Sequence, residues 1–368
     1  MQFKFFSLLS LSFAATAFGQ AVPDLVTLLG DTSELSGLLS LVSTFPEIVS
    51  ALGAAENITV FAPDNRAFET FTKMYEARNI TRESVAALLS YHVLNGSFPS
   101  TVLSKTPAFA PTYLGAFGEY PDFKNLTQGD SQVVKAVIEA DKPYVYGGIG
   151  MRVSISDTDV RFTNGIVHII DSLLAPPMSV SLTAEAANLT ALTNALVVAD
   201  LVSTVNHLNS ITVFAPTDAA FDAIGSATAN LTKEQLGEIL TYHVVPSRAF
   251  STDLEDGMEV ETVNGNKLTI TIEGADVYVN GAKVLMADVI TNNGVVHVID
   301  NVLNPNNTDD KPGNGTATDE PAFPGATPTG SATTSGALAT ATGSAGKMGM
   351  SSMLVVLIAG AFAIGMMA

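Results

Sequence analysis

Residues Ile58–Phe68 read ITVFAPDNRAF, and Ile211–Phe221 read ITVFAPTDAAF. Ile58–Phe61 has the make-up of a short strand. Pro63 ends it, and Asp64 can cap the helix that carries Phe68 and Phe71; in the second copy Pro216 and Thr217 or Asp218 do the same. Each copy is followed by a Tyr-His pair, Tyr91-His92 and Tyr242-His243. Each then closes on a second shared phrase, NGIVHIID at Asn164–Asp171 and NGVVHVID at Asn293–Asp300. Three landmarks in one order, twice, make a tandem repeat whose unit is too long for a solenoid turn and suits a globular domain.

The segments between the landmarks fill in the unit. Leu38, Leu41, Val42, Phe45, Ile48, Val49 and Leu52 fall at helical spacing, and Pro46 divides them into two short helices, with Thr44 placed to cap the second. Leu189–Leu208 has the same character. A further helix is expected over Thr81–Ser90 and over Thr232–Leu240, the latter with a Thr232–Gln235 capping box. The last third of each unit is strand, with Asn264-Gly265, Asn280-Gly281, Asn293-Gly294 and Asn164-Gly165 between apolar runs, a strong hairpin signal. His92 to His168 spans 76 positions and His243 to His297 spans 54. The first unit therefore carries an insertion, expected as an ordered loop within 107–128.

A net charge of −19 and the lack of any basic run argue against nucleic acid, whose phosphates need clustered Lys and Arg. With no cysteine, disulfides and thiolate chemistry are excluded. Residues 1–19, with Lys4 before an apolar run and Ala17-Phe18-Gly19 at its end, read as a signal peptide. Sequons occur at Asn57, Asn79, Asn95, Asn125, Asn188, Asn230, Asn306 and Asn314 and point to an N-glycosylated surface protein. Residues 306–346 are rich in Thr, Ser, Gly, Ala and Pro, and read as a disordered, O-glycosylated stalk. Small residues around Gly343 or Ser344, a short spacer and an apolar tail within 347–368 have the layout of a GPI-attachment signal; a C-terminal transmembrane helix is the alternative. This layout leaves residues 20–177 and 178–305 as two domains.

The duplicated phrases resemble the signature segments of the fasciclin (FAS1) domain family, with Tyr-His as its central motif. The resemblance spans about Val22 to Pro305 and implies an α+β fold, two tandem domains in which strands form a wedge or sandwich with short helices packed along it. It implies adhesion at a cell surface, matrix or wall, by protein or glycan contact, with no chemistry and no cofactor. Plasma membrane, wall or vacuole remain open as the destination, and weak self-association is a possibility. The resemblance also points to candidate adhesion residues: Tyr91, His92, Tyr242 and His243, and, preceding the last phrase, Asp288 and Ile290. Met286 and Ala287 depart from the family's pattern there, and Asp159-Val160 is the weaker equivalent in the first unit.

The residues themselves favour a plainer reading. Leu88, Leu89, Val93 and Leu94 flank the first Tyr-His, and Ile239, Leu240, Val244 and Val245 the second, a setting that marks core. His168 and His297 alternate with aliphatics on strands apolar on both faces. No metal site is expected, because zinc needs three or four converging ligands and no paired short-spaced His occurs. Asp31-Thr32-Ser33 has the form of an aspartic-protease triplet but lacks the second copy such an enzyme needs. Asp157 and Asp159 open something like a calcium loop without its glycine or closing Glu. A hydrolase or metal site assembled from dispersed residues would be the enzymatic alternative, and nothing in the motifs supports it.

Overall fold

A computed structural model describes residues 22–69, 81–114, 126, 131–228, 231–308, 322–323 and 325–328. The expected signal peptide, the expected lipid-attachment region, most of the expected stalk and of the 107–128 loop, and the sequons Asn79, Asn125, Asn230 and Asn314 lie outside the described residues.

The strand that each repeat opens with is buried along its whole length because it is central. In the first repeat β1 (Ile58–Pro63) lies between antiparallel β2 (Val93–Asn95) and a parallel partner at the end of the same repeat. The other strands are β3 (Ala108–Pro111), β4 (Val133–Glu139), β5 (Lys142–Tyr146), β6 (Arg152–Phe162) and β7 (Gly165–Ile170), giving one sheet of order β2-β1-β7-β6-β5-β4-β3. The second repeat has β8 (Ile211–Pro216), β9 (Val244–Val245), β10 (Glu259–Glu261), β11 (Lys267–Glu273), β12 (Asp276–Val279), β13 (Ala282–Thr291) and β14 (Gly294–Ile299), in the matching order β10-β11-β12-β13-β14-β8-β9. Each sheet curls until its edges meet. Tyr113 N donates to Val93 O at 2.8 Å and Leu94 bridges Thr112; Val263 N donates to Val244 O at 2.8 Å. Each sheet thus approaches a closed barrel, with the short helices packed along it. Thr59 and Thr212, polar residues in these central strands, are satisfied by donating to Gly96 O and Ser247 O.

Curling divides each core in two. Inside the first barrel, Phe61, Tyr91, Val134, Val145, Val153 and Ile170 pack together; outside it, the helices Leu25–Asp31, Ser36–Val42, Pro46–Ala54 and Arg82–Tyr91 bury Leu29, Leu38, Ile48 and Leu88 against β1 and β7. The second repeat repeats both layers. The expected caps are present at Asp64, Thr81, Thr217 and Thr232, the last as a full capping box. Thr44 is different. Phe45 is the N-cap of Pro46–Ala54, and the Thr44 hydroxyl donates back to Leu41 O at 2.7 Å, closing the preceding helix.

The glycines of the closing phrases answer to close approach. β7 and β14 run so near β1 and β8 that a Cβ on Gly165 would lie 2.1 Å from Ile58 O, and one on Gly294 1.9 Å from Ile211 O. The preceding Asn164 and Asn293 turn inward, each donating to two carbonyls at the end of a helical segment, Leu52 and Ala55 or Val205 and Leu208.

The insertion in the first repeat is split. Thr112 N and Oγ1 both donate to Gln132 O, 20 positions on, where the second repeat joins Thr262 to Asn266 by a short turn. The remainder is the loop 147–151, which replaces the tight Asn280-Gly281 turn. Ser131, Gln132 and the loop 147–151 lie at the junction of the two domains. Gln132 Nε2 donates to Asn292 O at 2.7 Å, Arg248 to Ser131 O at 3.0 Å, and Phe109 stacks on Phe250 with ring centroids 3.9 Å apart. Gly148 lies against Pro176 and Pro177, where a Cβ would come within 2.6 Å of Pro177 Cα. Val133, Ile290 and Val295 complete the apolar part of the junction.

Past Leu303 the chain does not leave the body at once. Ala322, Phe323 and Ala326, within the segment expected as disordered stalk, lie against the second domain.

Candidate functional site

The Tyr-His pair closes the helix before it. Helix Arg82–Tyr91 ends with His92 as its C-cap, and Lys233–Tyr242 with His243. His92 Nδ1 lies 2.8 Å from Leu88 O and carries the proton; Nε2 accepts from Leu174 N at 2.9 Å. His243 does the same with Ile239 O and Leu303 N, at 2.8 and 2.9 Å. Tyr91 Oη donates to Val133 O at 2.8 Å, and Tyr242 Oη to Lys267 O at 2.9 Å while accepting from Asn280 Nδ2. The pair therefore ties a helix end to a strand on the far side of the barrel and to the segment after the last strand. Both tyrosines are 0% exposed. Burial pushes His92 and His243 down to about 4, against a smaller upward pull from the Leu88 and Ile239 carbonyls, and pushes both phenols up.

The second histidine pair is held in the opposite tautomer. His168 Nε2 donates to Phe98 O at 2.9 Å and Nδ1 accepts from Asp159 N; His297 uses Ala249 O at 3.0 Å and Asp288 N. Their rings lie 5.6 Å from Phe61 and Phe214. Burial lowers both pKa values. With both ring nitrogens bonded to backbone, none of these four imidazoles is placed as a base or a metal ligand. Among the described residues no group of three or more His, Asp or Glu could hold a metal.

Asp159 and Asp288 occupy the irregular step of β6 and β13, with φ +62 and +67. Aspartate tolerates this left-handed conformation better than most residues. The carboxylate of Asp288 accepts from Ser251 N and Oγ, both at 2.7 Å, and that of Asp159 from Ser100 N at 2.9 Å and Ser100 Oγ. Burial pushes Asp159 up, but the bonds from Ser100 and the field of His168 and Arg161 outweigh it and hold the carboxyl below its usual range. Asp288 is buried at the domain junction, with Lys135 Nζ of the first domain 4.0 Å from Oδ2. Lys135 also donates to Ala287 O and lies 4.4 Å over the Tyr146 ring; burial lowers its pKa, opposed by Asp288 and Glu139. Ile290 is 1% exposed and packs on Val133 and Phe250.

The structure thus places Tyr91, His92, Tyr242 and His243 inside the two cores, and Asp288 and Ile290 between the domains, so that the six candidate residues form no common exposed patch. The described sequon residues Asn57, Asn95, Asn188 and Asn306 are all exposed. Asn57 and Asn95 are neighbours, since Ile58 pairs with Asn95 across β1 and β2. Asp31 ends the first helix at the surface, where Thr32 Oγ1 donates to Leu28 O. Sequence reasoning missed the junction itself. A signal was present: Lys135 stands alone in an apolar strand, VVKAVI, where the second repeat has Thr269.

The family model for the fasciclin domain matches residues 33–176 and 187–305. A fasciclin-like arabinogalactan protein of Arthroderma benhamiae is 35% identical over 305 residues, covering 82% of this chain and 71% of that protein. Human periostin is 32% identical over 149 residues, 39% of this chain and 18% of its own. Among solved structures, a FAS1 domain pair from the insect cell adhesion molecule Fasciclin I aligns with 70% of this chain and 92% of its own, at 18% identity and a TM-score of 0.35. Both matched segments coincide with the two curled sheets and their helices, and the chain belongs to the fasciclin-domain family.

Proposed function

We propose that this chain is an extracellular adhesion protein in which two joined fasciclin domains are held off a cell surface by a sugar-bearing stalk and a lipid anchor. Fasciclin-domain proteins act in cell adhesion or in contact with wall and matrix. The observation that carries the reading for this chain is where its polar motif residues lie. Both copies of Tyr-His, and the His168–Asp159 and His297–Asp288 pairs, are consumed by the fold, which leaves contact by outer surface as the molecule's means of action. Exposed sequons in both domains support a glycosylated exterior, and the composition of 329–346 supports a spacer that gives reach without fixed geometry. Two domains per chain and many chains per surface would add weak contacts through effective concentration.

Treating intact cells with a phosphatidylinositol-specific phospholipase should release the protein, and the released form should compete with cell attachment. Glycosidase treatment should shift the mass of peptides carrying Asn57, Asn95, Asn188 and Asn306. Retention after phospholipase would favour the transmembrane alternative. The relatives named as arabinogalactan proteins favour a second reading, a wall glycoprotein that binds carbohydrate and no protein receptor. Glycan arrays probed with the deglycosylated protein separate the two.

A further inference from the structure

One surface of the second domain is covered by chain that belongs to neither repeat. Ala220, Ile224, Ile239 and Val302 form an apolar groove, and Phe323 and Ala326 pack into it. Ile224 and Val302 are 0% exposed in this arrangement. The covering piece is a turn, with Ala326 N donating to Phe323 O at 3.1 Å and Gly325 at φ +77. Its two ends are pinned by hydrogen bonds to the domain. Ala322 O accepts from Asn304 Nδ2 at 2.9 Å and from Asn307 Nδ2 at 3.3 Å. Ser226 N donates to Thr327 O at 3.1 Å, and Thr327 N donates back to Ser226 Oγ at 2.7 Å.

We propose that this groove is a peptide-docking surface of the second domain, occupied in cis by the chain's own segment through Phe323 and Ala326, so that the stalk leaves the body after this segment and not at the end of the second repeat. The arrangement has the form of peptide recognition in general. Main-chain bonds at both ends fix the segment, and an aromatic and a small side chain three positions apart fill the socket. The groove walls come from the repeat, whose family match ends at residue 305, whereas the occupant arrives from outside it. Covalent linkage holds the occupant at an effective concentration on the order of millimolar, which keeps competing peptides out. If the lipid-anchor reading also holds, with attachment at Gly343 or Ser344, the free tether shrinks from about 38 to about 15 residues, and its root-mean-square reach from roughly 34 Å to roughly 21 Å. The domain pair would then stand close to the membrane with its second domain inward.

The test uses the full chain in detergent, native and with Phe323→Asp, and a fluorescent peptide DEPAFPGATPT copying residues 319–329. Neither measurement depends on how the chain is anchored. Amide exchange at Ser226 should accelerate by at least about tenfold in Phe323→Asp, the change that corresponds to about 1.4 kcal/mol. The peptide should bind the variant saturably and leave the native chain alone, and a peptide with Asp at the phenylalanine should bind neither. Ala326→Asp, which leaves Phe323 in place, should give the same two results if the first variant disturbs the domain. Equal exchange at Ser226 in native and variant chains, or a peptide that binds both or neither, would overturn the proposal.

Discussion

Lowering the pH from 7.5 to 5 should weaken both domains. His92 and His243 are pushed down to about 4 by burial, from about 6.5 in an unfolded chain. Between those values the unfolded state binds a proton that the folded state refuses, so stability rises with pH across the window. The contribution is complete above about 6.5, falls by about 1.4 kcal/mol per pH unit for each imidazole, and is exhausted near the folded value. At pH 5 this amounts to about 2 kcal/mol per domain, and on reaching pH 4 to about 3, against the roughly 5–15 kcal/mol that holds a typical domain together. His168 and His297, also lowered by burial, act in the same direction. Asp159 is lowered from a normal carboxyl value, so its contribution is lost only below that range and does not enter the window. Guanidinium denaturation at pH 7.5, 6.5, 5.5 and 5 measures the slope directly. In His243→Asn the slope assigned to the second domain should flatten, whatever the offset in stability. A denaturation midpoint unchanged from pH 7.5 to 5 would refute the buried, uncharged imidazole on which this reasoning stands.

The other predictions concern the junction and the sheet. Phe250→Ala removes one ring of the stacked pair between domains; scanning calorimetry should show unfolding shifted down by several degrees for a loss of about 2 kcal/mol. Lys135→Met leaves the Asp288 carboxylate buried beside an uncharged side chain and should cost about 3 kcal/mol, whereas Lys135→Met with Asp288→Asn should recover most of it; urea denaturation of the double-mutant cycle reads the coupling. Gly294→Ala drives a methyl group into Ile211 O and should cost more than about 4 kcal/mol, seen as loss of soluble, cooperatively unfolding protein.

The repeat, the order of its parts and most helix ends were legible because each rests on local chemistry. Pro63 and Asp64, or Thr232 and Gln235, carry out their roles within a few residues of themselves. The buried state of Tyr91-His92 was legible from its aliphatic neighbours. Thr44 misleads because its hydroxyl reaches its own helix's Leu41 carbonyl before it can serve the next helix. Asn293-Gly294 has the sequence of a hairpin turn, yet what requires glycine there is a strand residue 83 positions earlier in the chain, which no local window contains. Asp288 and Ile290 are harder still. An apolar, alternating strand looks the same whether its own domain or the neighbouring one covers it, and here the neighbouring domain supplies Lys135 and Val133. Phe323 lies in a stretch whose one other large apolar residue is Leu338, so its docking depends on a groove that only the folded second domain provides.

The central claim is that the duplicated motif residues hold the domains together and do not touch a partner. Replacing both Tyr91 and Tyr242 by Phe tests it most directly, because each substitution removes one hydroxyl and leaves Val133 O or Lys267 O without its donor, at a cost of about 1–3 kcal/mol each. Melting temperature and cell attachment per folded molecule are then measured on the same preparation. The account predicts a lower melting temperature with attachment intact; unchanged melting with attachment lost would contradict it.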